Sequence, residues 1–192
     1  MKFTSWNVRG LNDPLKRRLV KDFLSSHLID VAGLQESKLS DPTPRKLQSI
    51  GGRRLSEWCY LNSTESRGGV LVGWSDAFSL IQSHVGIFSV SVHLHHKPSN
   101  YSFTFTSVYA PIDKEDRAVC WWELDRIRYI LPGPWILCGD FNVTLSSDER
   151  NGRNGSPSDI KSFRNFISST SLIDLPLSGR NFTWSNKRKK HL

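Results

Sequence analysis

The sequence predicts an α/β (α+β) sandwich, with β-sheets inside and helices outside, and three observations carry that reading. Segments with helical spacing are interleaved with short β-type segments along the whole chain. Between Cys59 and His95, strand-like runs follow one another closely enough to suggest antiparallel pairing. Four predicted strands also end on polar side chains.

Lys2 to Val8 reads as a strand with Phe3 and Ser5 on one face, ending at Asn7. Gly10 to Asn12 is a turn, and Asn12 or Asp13 caps a helix with Pro14 in its first turn. Leu15, Leu19 and Phe23, together with Val20, Leu24 and Leu28, form the expected buried stripe of that helix. Ile29 to Leu34 is an apolar strand, followed at once by Gln35, Glu36 and Ser37. Asp41 to Ile50 reads as a short helix. Cys59–Asn62, Gly69–Trp74, Ser79–His84 and Ile87–His95 read as successive strands. Tyr101 to Tyr109 alternates strictly and stops at Ala110-Pro111. Asp113 starts a helix carrying Trp121, Trp122, Leu124, Ile127, Arg128 and Leu131, which Pro132-Gly133-Pro134 ends. The strand WILC then runs into Gly139, Asp140, Phe141 and Asn142. Ser158-Asp159 caps a last helix with Ile160, Phe163, Phe166 and Ile167, and Phe182-Thr183-Trp184 is a final strand.

At 192 residues, with 38% apolar and 23% charged side chains, the chain suits one soluble globular domain rather than a disordered segment. No apolar run reaches the ~20 residues of a membrane span, and the opening residues form no signal peptide. An intracellular protein without a membrane partner is therefore expected. Three scattered cysteines (Cys59, Cys120, Cys138) give neither a disulfide framework nor zinc spacing, and Cys138 reads as a buried free thiol. A net charge of +8 favours a polyanion, nucleic acid above all. His93, His95 and His96 read as the polar end of a strand rather than a metal site. Trp121-Trp122 reads as helix core rather than a base-stacking pair.

The polar strand ends are Asn7, Glu36, Tyr109, and Asp140 with Asn142. Each has an ordinary reading: a turn former, an exposed charge, a core aromatic, an Asx-turn. Brought to one edge, they give carboxylate and carboxamide oxygens that suit Mg²⁺, or Mn²⁺ in its place, with phosphate oxygens completing the shell. That set is coherent for phosphate-ester hydrolysis.

SWNVRGLN (5–12), LQESKL (34–39), SVYAP (107–111), GDFN (139–142) and FTWSN (182–186) resemble the ordered motifs of the endonuclease/exonuclease/phosphatase superfamily. WNVRGLNDPLKRR, RGGVLVGW and LIDLPLSGRNFTWSN are similar to the apurinic-endonuclease-like domain of plant LINE-type retrotransposons. The resemblance covers the whole chain and implies a four-layer sandwich of two packed mixed β-sheets flanked by helices. It implies that Glu36 binds the metal with Asn7 beside it, and that Asp140 orients or activates the attacking water. It implies that Asn142 holds the phosphate, that Tyr109 reaches the scissile phosphate, and that Arg9 and Thr183 lie on the substrate side. The implied reaction is Mg²⁺-dependent cleavage of a DNA phosphodiester by a nuclear, monomeric enzyme. In a retroelement, the resemblance implies, the 3′-hydroxyl it leaves would prime reverse transcription.

Two further motifs of that family are absent: an Asp in a Ser-Arg-Leu/Ile-Asp-Arg-like strand, and Ser-Asp-His. Residues 1–192 are therefore expected to be a single domain incomplete at its C-terminus and lacking its last strands. The missing Ser-Asp-His keeps one alternative in view, an inactive remnant that at most binds nucleic acid through its basic surface. A phosphatase acting on a small phosphoester is a third reading, and the retroelement wording and the basic charge argue against it.

Overall fold

β1 (Phe3–Asn7) and β2 (Val31–Gln35) pair in parallel, linked by helix α1 (Pro14–Ser26). Helix α1 begins where its capping signal lies: Asp13 accepts the Leu15 N–H at 2.9 Å, and Pro14 opens the first turn. The computed structural model describes residues 1–65, 67–149, 156–176 and 178. Helix α2 (Pro44–Gly51) follows, capped by Thr43, and then the antiparallel pair β3 (Glu57–Leu61) and β4 (Val70–Trp74). These strands make a first sheet in the order β1-β2-β4-β3.

The chain crosses to a second sheet after Trp74. There β5 (Phe78–Val85), β6 (Ser89–His96) and β7 (Tyr101–Tyr109) form an antiparallel meander. A right-sized crossover helix, α3 (Lys114–Ile130), then brings β8 (Trp135–Asp140) back parallel to β7. The order is β5-β6-β7-β8, and both sheets are mixed. Among the described residues, β1 and β8 each have a single sheet neighbour.

Alternation along β2 shows how the layers stack. Ala32 and Leu34 join Val20, Leu24, Leu47, Ile50 and Leu71 in a core between the first sheet and helices α1 and α2. Val31 joins Val72, Trp74, Val90, Val92 and Phe105 in a second core between the sheets. Helix α3 covers the far side of the second sheet and buries Cys120, Trp121, Leu124 and Ile127. The expected four-layer arrangement of two mixed sheets between helices is the one observed.

Three local expectations are corrected. On α1 only Val20 and Leu24 are buried, with Phe23 packed partly against them, whereas Leu15 and Leu19 are exposed; Leu28 lies past the end of the helix and is exposed too. Leu19 is rotated about 100° from Val20 around the helix, which turns it to solvent. Trp122 is exposed while Trp121 is core. The last helix, α4 (Pro157–Ser169), starts with Ser156 as its cap residue, ahead of the expected Ser158-Asp159, because Pro157 fits the first helical position.

The chain divides into two compact units, Met1–Asn142 and Val143–Leu192. The second contains α4, with Phe163 and Phe166 buried and stacked. The predicted strand Phe182–Trp184 and the basic run Lys187–Lys190 lie outside the described residues. The histidines behave as a polar strand end: ring nitrogens of His93, His95 and His96 bond Thr104, Ser102 and Ser99. Among the described residues, no helix is long and apolar enough to cross a membrane.

Candidate active site

Parallel pairing inside each sheet aligns strand ends, and that is what assembles the site. In β1–β2, Asn7 lies level with Gln35, one residue before Glu36; in β7–β8, Tyr109 lies level with Asp140. The packing of one sheet on the other then brings the two ends together. Asn7 Nδ2 donates to Asp140 Oδ2 at 2.8 Å, a bond between residues 133 positions apart. The other oxygen, Oδ1, accepts the Asn142 N–H at 3.1 Å. Both carboxylate oxygens are thus held, and Asp140 has a fixed orientation. The Asx-turn reading of Asp140 and Asn142 is correct for that second bond, and it coexists with the long-range one.

Glu36 sits between two loops. The backbone after β1 bonds it on one side (Gly10 N–H to Glu36 O, 2.6 Å), and the backbone before β4 runs along the other (Lys38 N–H to Gly68 O, 2.7 Å). Its Oε1 faces the Lys38 ammonium at 3.2 Å. Asn142 donates through Nδ2 to Ala110 O at 2.7 Å. Arg9 reaches the site through its backbone, donating N–H to Asn7 Oδ1 at 3.1 Å. Asn7, Arg9, Glu36, Tyr109, Asp140 and Asn142 are therefore brought to one edge, while Thr183 lies outside the described residues.

Arg9, Glu36, Lys38 and Asn142 all have φ between 51° and 55°, the left-handed region that side chains with a Cβ rarely adopt. Such backbone persists where surrounding contacts over-determine it, and it clusters at functional sites.

The Tyr109 phenol is pushed above its ordinary value of 10, first by burial and then by the Glu36 and Asp140 carboxylates. Being harder to ionise when folded than unfolded, it costs the fold stability only at high pH. The Tyr109→Phe variant should melt at a constant offset from wild type between about pH 7 and 9, and wild type should lose ground above pH about 10. A melting series across that range checks this. Curves that stay parallel throughout contradict it.

Several residues of the site escape sequence reading. Gln35 is fully buried, and its Nε2 donates to Ser107 Oγ at 2.7 Å and to Ser5 Oγ at 3.1 Å. Burial pushes the Cys138 thiol up to about 12, against a hydrogen bond with Ser5 that lowers it. Ser5, Gln35, Ser107 and Cys138 come from β1, β2, β7 and β8, directly behind the site residues on the same strands. They tie the two sheets together under the site. Arg117 on α3 is buried and donates to Asn142 O at 3.3 Å. Gly68 packs so tightly that an added Cβ meets Tyr109 Cε1 at 2.8 Å and Glu36 Cγ at 3.0 Å. Only Gly68 has a sequence signal, a glycine pair ahead of a buried strand, which marks close backbone approach.

The donors suit a hard divalent cation. Glu36 and Asp140 offer carboxylate oxygens and Asn7 its Oδ1, and Mg²⁺ takes one or two carboxylates, keeping water and substrate phosphate in its remaining positions. Among the described residues, no group of three or more His, Cys, Asp or Glu side chains is placed to hold a metal ion by itself.

The chain is 25% identical over 180 residues to the Transposon TX1 uncharacterized 149 kDa protein of Xenopus laevis, covering 91% of this chain and 14% of that one. Among solved structures it is similar to the AP endonuclease LMAP from Leishmania major, with TM-score 0.65 and 17% identity over 88% of this chain and 66% of that one. It is similar also to the endonuclease domain of TRAS1, a telomere-specific non-LTR retrotransposon, with TM-score 0.64 and 14% identity over 88% of this chain and 71% of that one. At these identities the structural likeness speaks to the fold. The family profile reaches further: it matches residues 4–191, and the chain belongs to the Endonuclease/Exonuclease/phosphatase family.

Proposed function

We propose that the chain is a Mg²⁺-dependent phosphodiester hydrolase that nicks DNA, of the apurinic-endonuclease-like kind found in non-LTR retroelements. The observation that carries the reading is the Asn7–Asp140 bond, which joins the polar ends of two sheets and sets a fixed carboxylate near Tyr109, whose phenol also feels the Glu36 carboxylate. Transposon and AP-endonuclease relatives and a net charge of +8 favour nucleic acid as the substrate.

Glu36 and Asn7 are the residues that would hold the ion. Bound there, it supplies neutralisation of the phosphate charge. Asp140, held by Asn7 and by the Asn142 N–H, orients the attacking water and takes its proton. Tyr109, with its phenol kept protonated, donates to a phosphate oxygen. Asn142 and Arg9 bind the phosphate backbone. Hydrolysis that breaks the bond to the 3′ oxygen leaves a 3′-hydroxyl, the end a reverse transcriptase extends.

Conversion of supercoiled plasmid to the nicked form tests this. Wild type with Mg²⁺ should nick, EDTA should stop it, and Glu36→Ala should lower the rate by about 100-fold or more, as loss of a charge-stabilising group does. If wild type nicks no faster than Glu36→Ala, the hydrolase reading fails; salt-dependent DNA binding without nicking would leave a binding protein in its place.

A further inference from the structure

Glu123 is a charged residue in the middle of α3 that the proposed chemistry does not use, yet it is only 7% exposed. Among the described residues, its hydrogen bonds go to donors at the tip of the β5–β6 hairpin. Its Oε2 accepts the Ile87 N–H at 2.6 Å and the Phe88 N–H at 3.2 Å; its Oε1 accepts the Ser89 hydroxyl at 2.5 Å and the Phe88 N–H at 3.3 Å. The tip is shaped around this carboxylate. A Cβ on Gly86 would lie 2.1 Å from Glu123 Oε1, so glycine is the residue that fits there.

Phe88, the centre of that tip, touches Tyr109 of the site and Arg67. Its carbonyl accepts the Tyr109 N–H at 2.9 Å. Its ring carries the Arg67 guanidinium, 5.5 Å from the ring centroid. Arg67 is exposed, and its neighbour Gly68 is the residue wedged against Tyr109 and Glu36. The hairpin tip therefore holds a cation at the rim of the site and fixes the backbone of Tyr109.

We propose that Glu123 is a positioning residue: by clamping the β5–β6 tip it sets Arg67 over Phe88 to receive a backbone phosphate of the DNA strand beside the one attacked. The inference rests on the reading of the site as a nucleic-acid phosphodiesterase. It is tested by a measurement that needs no catalysis. Arg67 then acts as a phosphate contact independent of base sequence, and Glu123 acts through it without touching DNA.

The experiment is fluorescence anisotropy of the whole chain with a short labelled duplex in EDTA, repeated across salt concentrations. Arg67→Ala should weaken binding about fivefold to tenfold and lower the slope of log K against log salt by about 1, the signature of one lost phosphate contact. Glu123→Gln should do the same, because one donor at the tip then faces an amide N–H₂ in place of an acceptor. The double variant should bind no more weakly than either single one, since both remove one interaction. Ser89→Ala, which removes a single donor and keeps the fold, should give a smaller loss in the same direction. If either Glu123→Gln or Ser89→Ala, shown folded by its melting curve, keeps the wild-type affinity and salt slope, or if the losses add in the double variant, the clamp plays no part in binding. Wild type that fails to bind at low salt overturns it too. Binding with the expected slopes but without nicking retains the clamp and removes the hydrolase reading alone.

Discussion

Asp140→Ala should lower the rate of Mg²⁺-supported plasmid nicking about 10³-fold, the middle of the range for a lost general base. Both oxygens of Asp140 are engaged by donors, the Asn7 carboxamide and the Asn142 N–H, so the carboxylate is fixed before substrate arrives. Removing it loses the proton acceptor and leaves two donors without their partner. Asp140→Asn is as informative. It keeps the shape, but its single carbonyl oxygen can satisfy one donor only, and its N–H₂ must face the other. That variant should therefore be as inactive as alanine. Melting temperatures should change little, since the site lies at the polar strand ends and only partly buried. The rates of both variants, read beside their melting curves, check this. Asp140→Asn with a tenth or more of the wild-type rate would show that the carboxylate is not the base.

The second large effect falls on stability. Gly139 precedes Asp140, has φ +150°, and pairs with Val108 across the parallel β7–β8 ladder. A Cβ there would lie 2.0 Å from the Val108 carbonyl oxygen and 2.8 Å from its carbonyl carbon. Backbone in a ladder cannot swing aside as a flexible side chain can, so the strands must separate locally. Gly139→Ala should cost about 3 kcal/mol, in the range of a substitution at a special backbone position. For a chain of this size that corresponds to a melting temperature lower by roughly 6–12 °C. Thermal or urea unfolding of the purified variant measures it. A shift within about 2 °C would mean that β7 and β8 relax at little cost, and that the strand end is less rigid than its geometry implies.

Much of the fold is legible because local chemistry and tertiary structure agree. Asp13 and Pro14 announce α1, the alternation of Tyr101–Tyr109 delivers β7 with the same bounds, and Pro132-Gly133-Pro134 separates α3 from β8. The candidate site has a signal of another kind. Asn7, Glu36 and Asp140 each stand at or just past the end of a strand that the sequence predicts. What stays hidden depends on partners distant in sequence. Nothing in the run from Cys59 to His95 tells that β4 and β5 belong to different sheets. The spacing of α1 fits two overlapping stripes, and only packing selects Val20 and Leu24. Glu123 and Arg117 look like solvated charges on a helix until the β5–β6 tip and Asn142 O appear beside them. Gln35 and Ser107 lie 72 positions apart, and their bond belongs to sheet-on-sheet packing rather than to any motif.

The four left-handed residues at the site, Arg9, Glu36, Lys38 and Asn142, carry a consequence for how such a chain is optimised. Glycine adopts that backbone freely, whereas a side chain with a Cβ costs about 1 kcal/mol there. Selection for robustness alone would drive these positions towards glycine, and a library screened for heat resistance would enrich the same changes. Each such gain would erase a side chain that the proposed chemistry or its immediate surroundings use. Durability and turnover therefore compete at these four positions, and a variant improved for one should be examined for loss of the other.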